Sequence, residues 1–271
     1  MLRSPYVVGI ALAGALSLTM LAAPATAGSA ARATINATAA AATLPLAGVI
    51  IAIDPGHQLG NSNPRFFSLL NKKTFVGGTV PYKICNTTGT ATNSGYPEAT
   101  YNFAVAQDLR AALRALGATV VMTRYTNTWN SYGPCIKIRG QFGLAQHAVL
   151  KVSIHADGAA SGGHGFFVME PANIARPCLS RPSSMVTRSR TLGRSIITGM
   201  VRAGLTKSTY INNATMISSD QGTLNCSSIP TVIVETLNMR NTSDANLAKS
   251  PTGRAKVAKG LLNGIRIYLG R

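Results

Sequence analysis

Acidic side chains are scarce: the 271-residue chain has 8 Asp and Glu against 26 Lys and Arg, a net charge of +18. Such a balance predicts attraction to a polyanion. Two signatures of nucleic-acid binding are missing, however, since no run of five or more cations occurs and no basic stripe is interleaved with aromatics. No Cys-x-x-Cys pair is present either, which disfavours a zinc ribbon. Nor is there a convincing membrane span. The apolar segment at residues 6–21 is short, contains Gly9 and Gly14, and is followed by Ala25-Thr26-Ala27, a small-residue cleavage site.

Residues 1–27 therefore read as a secretory signal peptide, and residues 28–46 as a low-complexity Ala/Thr linker. Residues 47–271 are long enough for one domain with a substantial core and leave no room for a second. The expected product is a secreted, periplasmic or cell-wall protein, monomeric, with no stable membrane span after signal cleavage. Export argues against nucleic acid and makes an anionic cell-envelope polymer the partner that the charge favours. It also sets the role of Cys85, Cys135, Cys178 and Cys226, all in loop-like surroundings, as two disulfides. Of three connectivities, Cys85–Cys135 and Cys178–Cys226 join neighbours in sequence and are the expected pair.

What is present is a repeated grammar of buried strand and polar tip. Residues 49–60, VIIAIDPGHQLG, begin as a β-branched apolar run and end in a turn that carries His57. The same pattern returns in residues 149–158, ending at His155 and Asp157, and in residues 231–236, ending at Glu235. In one parallel sheet these tips converge at the carboxyl ends of the strands, where α/β proteins place their chemistry. A lone strand-end histidine is more often structural; two histidines and a glutamate at equivalent ends favour a site.

Between these strands the spacing predicts helices. Tyr101, Val105, Leu109, Ala112 and Leu116 recur at helical period, with Pro97 in the first turn and Glu98 at the helix start. Residues 118–124 read as a strand, 136–147 as a helix, 164–170 as a strand, and 184–204 as a helix with Val186, Leu192, Ile196, Ile197, Met200 and Val201 inward. A short strand at 214–217 and a closing helix at 253–269 complete an α/β domain. Its sheet is mainly parallel, with about six strands and helices on both faces. Residues 58–96 read as a long loop forming one wall of a cleft.

Glu98 has two possible roles. A carboxylate in a first helical turn is favoured by the helix dipole alone. With His57 and His155 it would instead complete a three-donor zinc site with a fourth position for water. His147, at an expected helix C-terminus, reads as structural, and His164 lies outside the set.

Asp54-Pro55-Gly56-His57, Glu98, Ser153-Ile154-His155-Ala156-Asp157 and Val234-Glu235, in this order, resemble the zinc-dependent N-acetylmuramoyl-L-alanine amidases of the amidase-3 type. The basic, signal-bearing chain with paired loop cysteines and no wall-binding repeats looks most like the secreted mycobacterial and actinobacterial members. The resemblance implies one zinc ion on His57, Glu98 and His155, with Glu235 as catalytic carboxylate. The substrate would be the amide between N-acetylmuramic acid and L-alanine in peptidoglycan or a muropeptide. Two departures bear on loop shape: Gln58-Leu59-Gly60 follows the first histidine where the family commonly has glycine, and Thr236-Leu237-Asn238 follows Glu235 where it has glycine-phenylalanine. A zinc peptidase cutting within the stem and a non-catalytic basic wall-binding module are the alternatives. Retention of all four site residues counts against the second.

Overall fold

The computed structural model describes residues 43–271; the expected signal peptide and most of the linker lie outside the described residues. The linker's last residue, Leu46, is fully buried and its N–H donates to the Leu116 carbonyl at 2.8 Å, so packing begins there. In chain order come β1 (Ile50–Pro55), α1 (Phe67–Leu70), β2 (Lys73–Phe75), β3 (Tyr82–Ile84), α2 (Glu98–Ala115), β4 (Thr119–Met122) and α3 (Ile136–Gln141). They are followed by β5 (Leu150–Asp157), β6 (Phe167–Pro171), α4 (Ser184–Arg202), β7 (Thr215–Ser218), α5 (Gly222–Asn225), β8 (Thr231–Asn238), α6 (Thr242–Lys249) and α7 (Pro251–Leu269).

Six strands form one sheet in the order β4-β1-β5-β8-β6-β7, parallel except where β6 meets β8. β2 and β3 form a separate antiparallel hairpin. Alternation along each strand assigns its residues to two faces. On one face, Ile51, Ile53, Val152, Ile154, Val232 and Val234 pack in the main core, against the layer of α2, α4 and α7. On the other, Ala52, Asp54, Lys151 and Ser153 are equally buried, yet three of the four are polar. The uninterrupted apolar runs of the sequence therefore mark one greasy face and one polar face, the latter under α3 and α5.

Lys151 shows how the polar face is satisfied. Its ammonium donates to the carbonyls of Arg139, Gly140 and Phe142 at 2.7, 2.6 and 2.9 Å, closing the C-terminal end of α3. Burial pulls its pKa down to about 7. The carbonyls act in the opposite direction, since three acceptors need the three protons that only the charged form carries.

This cap also explains one correction: the helix expected over 136–147 stops at Gln141. Gly143 and His147 then adopt left-handed φ values of 104° and 55°, which no helix accommodates. Val201, expected inward on α4, is 45% exposed, because the buried stripe runs through Leu192, Ile196 and Met200 and leaves it about one residue round the helix. On α2 the buried position is Leu113 instead of Ala112 or Leu116. Residues 58–96 are not plain loop, for they contain 3-10 turns, α1 and the β2–β3 hairpin. Elements of three or four residues are too short to show a period.

α4 and α7 pack closely through glycine. A Cβ on Gly199 would fall 2.1 Å from the Gly264 nitrogen and 2.6 Å from the Gly260 oxygen. Gly199→Ala gains about 1 kcal/mol of helix propensity but must separate two backbones. Overpacking of this kind costs roughly 1–3 kcal/mol, so a net loss is expected, read as a lower urea midpoint at unchanged m-value.

Candidate active site

From β1 the chain goes out to β4 on one side of the sheet and then crosses to β5 on the other. This reversal opens a crevice at the carboxyl ends of β1 and β5. His57 lies two residues past β1 in a left-handed conformation, φ 56°, unfavourable for a side chain with a Cβ by about 1–2 kcal/mol. Arg139 secures it. The guanidinium donates to the His57 carbonyl at 2.6 Å, to the Pro55 carbonyl at 2.8 Å, to the Pro134 carbonyl at 2.9 Å, and to Asp54.

Asp54 is fully buried and accepts in addition from Thr123 Oγ1 at 2.6 Å and Ser153 Oγ at 2.7 Å. Burial alone would raise its pKa, but the Arg139 charge and these two hydroxyls outweigh it and hold the carboxyl well below the usual carboxylate range. Arg124 adds a second clamp, donating to the carbonyls of Pro55, Gly56 and Ala99 at 3.0, 3.1 and 2.9 Å. Gly56 itself leaves room for chemistry. A Cβ there would sit 2.3 Å from Cε1 of the His155 ring.

His57, Glu98 and His155 meet in this crevice, each offering a donor atom within 4.8 Å of the others. Glu98 is the first residue of α2, 3% exposed. Its Oε2 lies 3.2 Å from His57 Nε2 and its Oε1 3.1 Å from His155 Nδ1. The carboxylate also accepts from the N–H groups of Thr90 at 2.9 Å and Ala156 at 3.2 Å, and from Asn102 Nδ2 at 3.0 Å.

Burial opposes the charge on Glu98, but the two imidazoles overcome it and place the pKa well below the ordinary value. Burial likewise lowers the His155 pKa, against the pull of Glu98, and so favours the neutral ring. His57 Nδ1 donates to the Thr87 carbonyl at 2.9 Å, so Nε2, 3.2 Å from Glu98 Oε2, is the ring nitrogen free to turn to a cation. A carboxylate anion and two imidazole lone pairs at this range are a donor set that fits a divalent cation.

Glu235, on β8, is the direct neighbour of His155 in the parallel register. Its Oε2 is buried with no hydrogen-bond partner. Burial first, then the negative charges of Glu98 and Asp157, raise its pKa well above that of a free carboxyl. It lines a cleft of about 250 Å³ together with His57 and His155. Ile84, Ile136, Met169 and Ile233 supply apolar wall, and Lys83 a cation. A group next to three converging donors, outside their set and short of partners, is poised to exchange protons.

The disulfides join Cys85 to Cys135 and Cys178 to Cys226. Cys85 follows β3 directly and Cys135 precedes α3, so this link fixes the hairpin at the cleft. His147 and His164 stand outside the donor group, His147 exposed in a turn and His164 beside a separate cavity with Lys256 and Asp244. Sequence reasoning missed Arg139, Arg124 and Asn102. Asn102 sits one helical turn after Glu98 and was findable from that spacing; the arginines carried no local signal.

Over residues 51–266 the chain matches the Amidase_3 family, described as N-acetylmuramoyl-L-alanine amidase. The chain belongs to this family. It is 34% identical over 239 residues to the N-acetylmuramoyl-L-alanine amidase Rv3717 of Mycobacterium tuberculosis, covering 87% of this chain and 92% of the relative. Among solved structures, the N-acetylmuramyl-L-alanine amidase Ami1 of Mycobacterium smegmatis superposes with a TM-score of 0.74 at 33% identity, over 83% of this chain and 98% of that one. The Ami1 structure from Mycobacterium abscessus gives a TM-score of 0.73 at 35% identity, over 83% and 100% of the two chains. The shared fold is the single α/β domain with its mostly parallel six-stranded sheet.

The Asp54–Arg139 pair supplies a stability test with a defined sign. The folded-state pKa of Asp54 is depressed, so its contribution is present above the unfolded carboxylate value of about 4 and is lost as pH falls below it. Asp54→Asn leaves a buried guanidinium unpaired and is expected to lower stability by about 3–5 kcal/mol at pH 7. It should also flatten the acid side of the stability profile. Urea unfolding between pH 3 and 7 measures both effects.

Proposed function

We propose that the chain is an exported zinc amidase that hydrolyses the bond between N-acetylmuramic acid and the L-alanine of the peptidoglycan stem, with His57, Glu98 and His155 as metal ligands. The observation that carries this reading is the convergence of these three donors beside a partnerless Glu235, in a chain that belongs to the amidase family. Zinc bound by such a set lowers the pKa of a water to ~7 and polarises a carbonyl.

The rest falls to the protein. Glu235 takes a proton from the attacking water and returns it to the leaving alanine nitrogen, a cycle that needs a carboxylate with high proton affinity close to the ligands. Thr87 fixes the tautomer of His57, and Asn102 with the N–H groups of Thr90 and Ala156 fixes the Glu98 carboxylate. Met169, Ile233 and Ile136 exclude water from the cleft beside Glu235.

Glu235→Gln removes the proton carrier and keeps the ligands. Turnover of purified peptidoglycan should fall by about 10²–10⁴-fold with one zinc per chain retained by metal analysis. The unaltered protein should release stem peptides beginning with L-alanine, lose this activity to a chelator, and regain it with zinc. Intact turnover in Glu235→Gln would remove Glu235 from the mechanism.

Attraction to an anionic envelope polymer has a natural seat on α4 and α7. These packed helices carry Arg188, Arg190, Arg194 and Arg202, and Arg254, Lys256, Lys259 and Arg266, with no Asp or Glu in either. Exposed charges of this kind are screened by salt. Replacing Arg194, Arg202, Lys256 and Lys259 by glutamine should weaken co-sedimentation with cell walls at 0.05 M salt severalfold, with hydrolysis of a soluble muropeptide unchanged.

A further inference from the structure

The cleft beside Glu235 has two cations in its lining, Arg139 and Lys83, and they differ in what holds them. Arg139 is 2% exposed, its donors spent on Asp54 and the carbonyls of Pro55, Pro134 and His57. Lys83, on β3, reaches over the rim to Asp220, with Nζ 3.2 Å from Oδ2 and 2.9 Å from the Asp220 carbonyl. The side chains of this pair are 29% and 42% exposed. Asp220 has further support of its own, since Ser218 Oγ donates to its Oδ1 at 2.7 Å, and it does not depend on Lys83 to be satisfied.

An exposed ion pair of this kind is worth about 0–1 kcal/mol. Its lysine can therefore be taken by another carboxylate that arrives already oriented. Four rotatable bonds let the ammonium swing from the rim into the cleft. Outside the site residues the remaining wall adds no other cation: Ile84, Ile136, Met169 and Ile233 are apolar, Thr87, Gln221 and Thr223 are neutral, and the Asn86 amide is spent on the Pro134 carbonyl at 2.8 Å. One mobile cation, beside a wall that is otherwise apolar or neutral outside the site residues, suits a substrate with one carboxylate near the scissile bond.

We propose that Lys83 is a specificity-determining residue that recognises a free carboxylate of the stem peptide, and that Asp220 holds the ammonium at the cleft rim until substrate displaces it. This rests on the amidase activity proposed above. The carboxylate in question is the one on the residue after L-alanine, which stem peptides carry either free or as the amide. Lys83 would favour the free acid, because the amide offers no charge to a strongly hydrated ammonium.

Two synthetic muramoyl peptides that differ only in this group, acid or amide, test the proposal. With the zinc-loaded, disulfide-bonded protein, the acid should be preferred in kcat/KM by on the order of tenfold, the scale of a partly exposed hydrogen bond to a charged group. Lys83→Gln should bring the ratio close to one, mainly through KM for the acid, and Lys83→Arg should restore much of it. Asp220→Asn should move the ratio the other way, since the lysine is freed. Equal use of both peptides by the unaltered protein, or an equal loss on both in Lys83→Gln, would overturn the assignment. No cleavage of either peptide would overturn the amidase reading and the assignment with it.

Discussion

The buried pair of Asp54 and Arg139 is the interaction on which the site depends. Through Asp54 it joins the end of β1 to Thr123 after β4 and to Ser153 on β5. Through Arg139 it takes in α3 and the carbonyls either side of the turn that delivers His57. A buried ion pair of good geometry often adds little net stability over an apolar replacement. Here its product is position. His57 occupies a backbone conformation that the chain would not choose locally, and the Arg139 contact to its carbonyl is what makes that conformation the low-energy one in context.

Charge ties the site to the surface. Asp54, Glu98, Asp157 and Glu235 are half of the 8 acidic residues in the chain, and all four lie at the carboxyl ends of β1, β5 and β8 or at the helix facing them. Burial, and then the charges of Glu98 and Asp157, raise the proton affinity of the one carboxylate among them that lacks a cationic or hydrogen-bonding partner, Glu235, while Arg139 holds Asp54, the imidazoles hold Glu98 and the Tyr210 hydroxyl holds Asp157. Concentrating the few anions in the crevice leaves the helices α4 and α7 with cations alone. A cationic face on α4 and α7 and a proton-hungry carboxylate in the crevice are thus two results of one distribution.

The sequence made the floor of the site legible because β-strands report themselves. Val49–Ile53, the run before His155 and the run before Glu235 are β-branched, of strand length, and end in polar residues, which predicts both the sheet and its chemical edge. The periodicity could not show that alternate residues of those runs face a polar layer, since Lys151 and Ser153 look like interruptions until Arg139 and the α3 carbonyls are placed over them. Arg139 and Arg124 were invisible for the same reason. Each buried guanidinium relies on partners in the β1 turn, 68 to 85 residues away, and no local pattern encodes that.

Floor and roof of the cleft are held by different physics. The floor rests on a continuous apolar core on one side of the sheet and a satisfied polar network on the other. The roof, the β2–β3 hairpin, buries Val76 but leaves Phe75, Val80 and Tyr82 exposed. Each hairpin strand has only three residues, and such a ribbon is marginal in water. Cys85–Cys135 and Cys178–Cys226 compensate by closing loops of sequence separation 50 and 48, each removing roughly 4 kcal/mol of unfolded-state entropy in the chain-entropy account. Covalent links of this kind persist outside the reducing cytosol. The compartment that keeps the roof in place is also where a peptidoglycan substrate is found.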